Sequence, residues 1–268
     1  MKSAIFILTS LIVFSFILIS CSSVPLTGRK QLSIIPASQM LTMSFQQYDE
    51  YIRSNKLSND ASNSEMVKRV GNNIKNAVER YMADNKISNR LNGYNWEFNL
   101  VESSEINAWC MPGGKVVVYT GILPITQDEN GLAVVMGHEI AHAIAEHGNE
   151  RMSQILLTQL GGLALSEALN SQPERTRDLW LGVYGLGAQV GVLLPYSRTH
   201  ESEADKLGLI FMAMAGYDPN SAVGFWERMA ALKQGQAPPE FLSTHPSDKT
   251  RIEDIKKNLP EALNYYNK

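Results

Sequence analysis

The residues best able to do chemistry stand together at His138-Glu139-Ile140-Ala141-His142. The two histidines are four residues apart, so a helix places both imidazoles on one face, one turn from each other, where they can share a cation. Glu139 is rotated by about 100° from His138, which puts its carboxylate beside the metal rather than in competition with the imidazoles. There it can hold an attacking water and take its proton. The pattern predicts a zinc site with a general base at its side.

A second group of acidic residues, Glu201, Glu203 and Asp205, lies further along the chain. Two histidines alone leave a catalytic zinc short of the three protein ligands that it usually takes. Glu201 and Asp205 are four residues apart and share one helix face. One carboxylate can therefore ligate, while the other orients a ligating histidine through its second ring nitrogen. Glu203 points to another side of the helix, and we interpret it as a solvated charge.

The helix that carries the histidines has apolar or small residues nearly all round, which predicts that it is buried. Thr126-Gln127-Asp128-Glu129 is typical of a capping box and predicts where this helix begins. A buried Glu139 between buried histidines is costly without a partner, which favours a metal site. The alternative is a pair of core histidines that bond only to the backbone. His147, five residues past His142, lies off the ligand face, and we interpret it as structural.

Composition describes an ordinary globular protein. The 268 residues are 44% hydrophobic and 19% charged, which is enough for a sizeable core. The formal net charge is −3. A mildly acidic chain does not have the excess of basic residues that is typical of proteins that bind polyanions, so we expect no nucleic-acid partner.

The first twenty residues predict export rather than fold. Lys2 precedes an apolar run, residues 4–19, that is shorter than the roughly 20 residues of a spanning helix and typical of a secretory signal. Leu18-Ile19-Ser20-Cys21 resembles a bacterial lipoprotein signal, in which Cys21 becomes the lipid-modified N-terminus. The alternative, an uncleaved anchor, also exports the chain. We therefore expect a lipid-anchored protein of the bacterial cell envelope, in the outer membrane and facing the periplasm.

Cys110 is the second of two cysteines. If Cys21 is acylated, no disulfide can form within the chain, although the compartment would permit one. Cys110 stands in an apolar setting and is interpreted as a small core residue rather than a nucleophile.

The period of the apolar residues predicts two helices, at about residues 38–55 and 62–83, and then strands. Tyr94 to Leu100 alternates between apolar and polar, and Lys115–Tyr119 follows the turn at Pro112-Gly113-Gly114. Residues 107–109 are a candidate edge strand. The edge of such a sheet can hold an extended peptide by main-chain hydrogen bonds; the alternative is a hairpin that only covers the core.

Two later stretches, residues 155–169 and 181–194, are apolar and rich in small residues. Gly187 and Gly191 are spaced like a helix-contact pair. Both stretches are shorter than a spanning helix and contain polar side chains. They favour a packed helical hairpin, close to a bilayer, over membrane spans, with a charged linker at residues 173–178.

The chain resembles the M48 family of zinc metallopeptidases, in particular its exported bacterial lipoprotein-like members. The matching pieces, in chain order, are Pro25-Leu26-Thr27-Gly28-Arg29, Asn107-Ala108, Pro112-Gly113-Gly114, Thr120-Gly121, His138-Glu139-Ile140-Ala141-His142, Glu201 with Glu203-Ala204-Asp205, and Thr244-His245-Pro246-Ser247. They follow one another at sensible spacings, and their combination is highly specific.

This resemblance implies a zincin-like core that binds one zinc ion per chain. It implies His138, His142 and Glu201 as zinc ligands, Glu139 as general base and Asp205 as the acidic partner behind the ligands. Asn107 and Ala108 are the candidate substrate-binding residues.

His245 is the best candidate for a further role at the site. It can donate to the oxyanion of the transition state, or act as a fourth ligand that closes the site at rest. The alternative is a loop histidine of no consequence. Tyr196, Arg198 and His200 are weaker candidates for the donor.

Together these observations predict a mainly helical α+β protein, with a zincin-like metallopeptidase core and a small β-sheet beside the histidine-bearing helix. We expect a signal at residues 1–20, a tether at 21–37 and a single peptidase domain at 38–268. The predicted activity is zinc-dependent cleavage of unfolded or misassembled cell-envelope proteins. Two rival functions are a chaperone for outer-membrane proteins with incidental proteolysis, and a metal-stabilised scaffold without turnover.

Overall fold

A computed structural model describes residues 21–25, 27–168, 197–232, 239–245 and 249–266. Within these ranges the fold is mainly helical with two small sheets, which confirms the predicted fold class. No helix among the described residues is both long enough and apolar enough to cross a bilayer. The predicted signal, the charged linker and the second apolar stretch at 181–194 lie outside the described residues.

The chain forms five strands and nine helices within the described ranges. In chain order they are β1 (Cys21–Ser23), β2 (Lys30–Leu32), α1 (Ala37–Ser54), α2 (Ala61–Asp84), β3 (Glu97–Val101), β4 (Ala108–Met111), β5 (Lys115–Tyr119), α3 (Leu123–Thr126), α4 (Glu129–Ile144), α5 (His147–Ala168), α6 (Arg198–Met214), α7 (Ser221–Ala231), α8 (Glu240–Thr244) and α9 (Lys249–Tyr266). Short 3-10 turns lie at Ser88–Leu91 and Thr120–Ile122. The predicted helices at 38–55 and 62–83 are confirmed as α1 and α2, and the predicted strands as β3, β4 and β5.

The contacts divide the chain into two compact units. One comprises the described residues up to Pro36 together with α5 from Gly148 onward, and the other comprises Ala37–His147 together with the described residues from Ser197 onward. The described part of the expected tether belongs to the first unit apart from its last residue. The organisation into a signal, a tether and one peptidase domain stays a prediction.

The first unit is built on a hairpin. β1 and β2 pair antiparallel within the segment that we interpreted as a tether. The Arg29 guanidinium donates to both carboxylate oxygens of Glu150 at 2.9 and 2.7 Å, and Ile34 N donates to Ser153 Oγ at 2.9 Å. These bonds hold residues 29–34 against the first turns of α5. Further along, four leucines of α5 are exposed, at Leu156, Leu157, Leu160 and Leu163.

The second unit contains a three-stranded sheet in the order β3–β5–β4. β3 runs parallel to β5, whereas β4 runs antiparallel to it and is joined to it by the turn at Gly113 and Gly114, both at positive φ. All five residues of the central strand β5 are buried. α2 packs on β3, and α4 packs on β4 and β5. The sheet therefore forms a layer beside α4, as predicted.

The start of α4 differs from the capping box expected at Thr126. Asp128 is the N-cap, and its carboxylate accepts a hydrogen bond from Gly131 N at 2.9 Å. Thr126 instead ends α3, where its hydroxyl donates to Leu123 O at 2.9 Å. Gln127, at φ 69°, separates the two helices. The expectation failed because Asp is as good a cap as Thr, and the backbone turn at Gln127 selects the later residue.

α4 crosses α6 at a glycine pair. A Cβ atom added to Gly208 would meet Gly137 C and His138 N at 2.9 Å each, and one added to Gly137 would meet Gly208 O at 2.9 Å. These distances are shorter than ordinary van der Waals contact. The two helices can approach to backbone contact only because both positions lack side chains. This crossing lies directly beside His138.

Candidate metal centre

Three predicted site residues, His138, Glu139 and His142, lie on α4 and are 2–4% exposed. The two imidazoles converge, with His138 Nε2 and His142 Nε2 only 3.1 Å apart. Burying two converging nitrogens is costly unless a cation or a proton joins them.

α6 brings the acidic residues to the same point. Ser197 caps α6 by accepting from His200 N. Glu201 Oε1 lies 3.3 Å from His142 Nε2, and Glu201 Oε2 lies 3.5 Å from His138 Nε2. Asp205 Oδ1 lies 2.9 Å from His138 Nδ1, on the far side of the ring. Glu201 therefore faces the converging nitrogens, whereas Asp205 holds His138 from behind.

His245, at the end of α8, completes this cluster. Its Nδ1 lies 3.0 Å from Glu201 Oε1 and 3.2 Å from His138 Nε2, and its side chain is buried. Its Nε2 lies 3.4 Å from Glu139 Oε1. His245 thus stands at a fourth corner of the group formed by His138, His142 and Glu201.

These four side chains fit a zinc ion. One ligand atom from each lies within 4.8 Å of all the others. A tetrahedral zinc with ligands at about 2.0–2.1 Å requires ligand atoms about 3.3 Å apart. The two imidazole nitrogens are 3.1 Å apart, and each faces one oxygen of Glu201, His142 Nε2 facing Oε1 at 3.3 Å and His138 Nε2 facing Oε2 at 3.5 Å. Two imidazoles and a carboxylate are also the donor set of a catalytic zinc. Glu139 Oε1 is buried, lies 3.4 Å from His245 Nε2 and makes no hydrogen bond to the described residues, so it can still accept a hydrogen bond from a bound water.

A comparison with models of known families matches residues 68–259 to peptidase family M48. The chain belongs to peptidase family M48. The mitochondrial metalloendopeptidase OMA1 of Schizosaccharomyces pombe is 40% identical over 169 residues, which cover 62% of this chain and 48% of that protein. OMA1 of Bos taurus is 33% identical over 244 residues, covering 89% of this chain and 46% of that protein. The beta-barrel assembly-enhancing protease of Escherichia coli is 28% identical over 166 residues, covering 60% of this chain and 34% of that protein.

The chain thus spans about half the length, or less, of these relatives. Membership of M48, the named metalloendopeptidases among its relatives and the His138-His142-Glu201-His245 group together support a zinc-using metalloendopeptidase.

Arg251 on α9 is a component of this M48 site that the sequence analysis missed. Its Nη1 lies 2.7 Å from Glu201 Oε2, and its Nε and Nη2 each donate to Asp205 at 2.8 Å. Its guanidinium carbon lies 3.4 Å from the centroid of the Trp226 ring. One buried cation therefore joins Glu201 and Asp205 of α6. In the sequence, Arg251 is marked only by its position six residues after His245. That spacing matches neither the period of a helix nor that of a strand, so it does not predict the contact.

The charges around the site set its protonation. Burial opposes ionisation of Glu201, but contacts with His138, His142 and His245 hold the pKa of this carboxyl well below its usual range. Burial also opposes ionisation of Asp205, whereas Arg251 and His138 lower its pKa. Both acids are therefore anions, which suits the roles predicted for them as a ligand and as the partner of a ligand.

Glu139 is the exception. Burial raises its pKa, although His245 and His138 oppose this shift. A raised pKa makes the carboxylate a stronger base, which suits the acceptance of a proton from water near neutral pH.

His147 and Glu203 were interpreted as a structural histidine and a solvated charge, and the second interpretation is wrong. Glu203 is 6% exposed, and its Oε2 lies 3.1 Å from His147 Nε2. His147 is fully buried, and its Nδ1 lies 3.0 Å from His142 Nδ1. Glu203 can be buried because its carboxylate pairs with His147, at the start of α5. The sequence pattern of α6 alone could not predict this partner.

The candidate substrate-binding residues lie at the edge of the sheet. Asn107 Oδ1 accepts from Ala108 N at 2.9 Å, Asn107 O accepts from Tyr119 N at 3.1 Å, and the Ala108 side chain is buried. Both residues are almost fully buried, and their role in binding a peptide stays a prediction. Ile106 O, just before β4, accepts from Phe241 N of α8 at 3.3 Å.

The remaining sequence candidates lie away from the metal group. His200 stacks on His147 with ring centroids 4.5 Å apart, Arg198 is exposed at the start of α6, and Tyr196 lies outside the described residues. Cys110 is partly buried, and burial together with Glu139 raises the pKa of its thiol. A thiol of raised pKa is a poor nucleophile, in keeping with its interpretation as a core residue.

Proposed function

We propose that this M48 protein is a zinc-dependent endopeptidase that cleaves unfolded or misassembled polypeptides of the cell envelope. The observation that carries the proposal is the convergence of His138, His142 and Glu201 within 3.1–3.5 Å of one another, with Glu139 buried at their side. The name of the bacterial relative, a beta-barrel assembly-enhancing protease, supports an envelope substrate.

His138, His142 and Glu201 would hold the zinc ion. Zinc supplies a Lewis acid for the scissile carbonyl and lowers the pKa of water. Glu139 takes the proton from the attacking water and passes it to the leaving amine. Asp205 keeps His138 in the tautomer that presents Nε2, because its carboxylate lies 2.9 Å from Nδ1. Arg251 fixes the carboxylates of Glu201 and Asp205.

Substrate would bind as an added strand. β3 and β4 are the two outer strands of the sheet, and the outer edge of β3 is bonded to residues 56–58. A peptide paired with β4 by main-chain hydrogen bonds needs no particular sequence. Only a segment free of its own secondary structure can pair in this way. This mode accounts for a preference for unfolded chains.

His245 closes the site at rest. Its Nδ1 lies as close to His138 and Glu201 as those ligand atoms lie to each other, which favours a fourth ligand over an oxyanion donor. α8 is a short helix that is tied to residue 106 by a main-chain hydrogen bond. A peptide that pairs with β4 would compete with that bond, so substrate binding and removal of His245 are coupled.

Purified protein beginning at residue 22, loaded with one equivalent of zinc, should cleave a urea-unfolded outer-membrane β-barrel protein and spare the same protein folded in detergent. Glu139→Gln should retain zinc and lose turnover by several orders of magnitude. Binding of the unfolded substrate by both forms without cleavage by either would favour the chaperone. Neither binding nor cleavage would favour the scaffold without turnover.

We further propose that Cys21 carries lipid and anchors the chain. Stable anchoring takes more than one acyl chain, which a bacterial lipoprotein provides. Cys21→Ser behind a cleavable signal should release folded enzyme into the soluble fraction. If that variant stayed with membranes after a carbonate wash, the exposed leucines of α5 would be the next candidates for membrane contact.

A further inference from the structure

The two histidines of α4 have different partners behind them. His138 Nδ1 faces the Asp205 carboxylate at 2.9 Å, which is a common arrangement for a metal ligand. His142 Nδ1 instead faces a ring nitrogen, His147 Nδ1, at 3.0 Å. The four-residue spacing of His138 and His142 does not by itself explain the contact between His142 and His147.

The proton positions in this pair follow from the role of His142. A neutral imidazole that presents Nε2 to a metal carries its proton on Nδ1. His142 is therefore the donor to His147, and His147 Nδ1 must accept. A neutral His147 that accepts at Nδ1 carries its own proton on Nε2. That proton needs an acceptor.

Glu203 provides the acceptor. Its Oε2 lies 3.1 Å from His147 Nε2, and a carboxylate can only accept when ionised. Heavy-atom geometry thus assigns one continuous direction of donation, from His142 through His147 to Glu203. The reverse direction would place a proton on His142 Nε2, where it would block the metal.

The surroundings hold His147 in place. It is fully buried, it opens α5, and Glu146 just before it adopts φ 59°, a left-handed turn that separates α5 from α4. The His200 ring stacks on the His147 ring at 26°. A ring fixed on one face and at both nitrogens leaves His142 little freedom to rotate.

We propose that His147 and Glu203 are positioning residues, which hold His142 in the tautomer and orientation required of a zinc ligand. His147 does not touch zinc or substrate; it acts through His142. The inference rests on the proposed zinc site, and its test uses zinc affinity and histidine protonation rather than proteolysis.

The experiment is made in the Glu139→Gln background, so that the outcome does not depend on catalysis. Zinc affinity is measured by competition with a chelator for the parent and for His147→Ala, His147→Asn and Glu203→Ala. Partners behind metal ligands typically contribute about 10–100-fold in affinity, so His147→Ala should lose about that much. His147→Asn places an amide oxygen near the position of Nδ1 and should recover most of the loss, since it can still accept from His142.

Two further measurements separate positioning from packing. Long-range ¹H–¹⁵N spectra of the zinc-bound parent should show His142 protonated at Nδ1 and His147 at Nε2. Glu203→Ala should weaken zinc binding in the parent but not in the His147→Ala background, because its effect passes through His147. Ser153→Ala serves as the stability control, because it removes a buried hydroxyl of the first unit, which donates to Asn149.

The inference is overturned if His147→Ala binds zinc as tightly as the parent, if His147→Asn is as weak as His147→Ala while equally folded, or if the spectra show His147 protonated at Nδ1. If His147→Ala fails to fold, His147→Asn and the spectra still decide. A parent that binds no zinc would instead remove the proposed function itself.

Discussion

Replacing Gly208 with alanine should weaken zinc binding without touching a ligand. The new Cβ would lie 2.9 Å from Gly137 C and His138 N, whereas ordinary contact begins at 3.4 Å. Both of those atoms belong to the backbone, so a change of side-chain rotamer cannot relieve the clash. α6 must therefore move away from α4 by about 0.5 Å, and overpacking of this kind costs about 1–3 kcal/mol in stability.

That movement matters because the ligands sit on both helices. His138 and His142 lie on α4 and Glu201 on α6, while metal–ligand distances tolerate only about 0.2 Å. A displacement of about 1 Å in a catalytic site costs about 100-fold in rate, so half that displacement should cost about tenfold. We expect Gly208→Ala to lose about tenfold in zinc affinity and in kcat/KM.

Chelator competition gives the zinc affinity, and denaturant unfolding gives the stability. Gly148→Ala is the matched control, because Gly148 is also helical and has no heavy atom within 4 Å of an added Cβ. That control should be neutral or more stable by up to about 1 kcal/mol. If Gly208→Ala lost stability but kept the zinc affinity of the parent, the glycine crossing would be a packing feature with no influence on the metal site.

The other predictions concern the site directly. His245→Ala should raise basal cleavage if the imidazole closes the site at rest, and should lower kcat at constant KM if it serves the oxyanion; steady-state kinetics on one unfolded substrate distinguishes the two. Arg251→Met should destabilise the metal-free protein by about 3–5 kcal/mol, because Glu201 and Asp205 lose their shared cation, and zinc should restore more stability to this variant than to the parent in denaturant unfolding. Burial and Arg251 favour neutral His138, but Asp205 and Glu201 outweigh them and raise the pKa of His138 to about 9. Zinc must displace that proton, so apparent affinity should rise about tenfold per pH unit from pH 7 and level off near pH 9; Asp205→Asn should move the plateau to lower pH, and a flat profile in the parent would contradict the assignment.

Local periodicity was enough to find the centre of the site. The four-residue spacing of His138 and His142, and of Glu201 and Asp205, is a property of single helices, and the need for a third ligand linked the two motifs. The same reasoning predicted α1, α2 and the strands, because their apolar faces repeat with the period of the element.

The features that escaped depend on contacts between distant elements. Arg251 and the burial of Glu203 involve partners on other helices, so no window of sequence contains them. The hairpin of β1 and β2 has little apolar alternation, and its bonds to α5 cross more than a hundred residues. Sequence patterns therefore do not predict which buried charged residues pair with each other when the two residues lie on different elements.

The arginine between the two carboxylates has a consequence for the order of events during synthesis. A growing chain completes α4 and then α6, and so presents both imidazoles and both carboxylates before α9 has been made. Until α9 packs on α6, those acids lack their balancing cation, and separate parts of a chain this far apart assemble late. The side chains of the metal group are therefore made before the residue that balances their charge, and the metal group reaches its final charge balance only when α9 packs on α6.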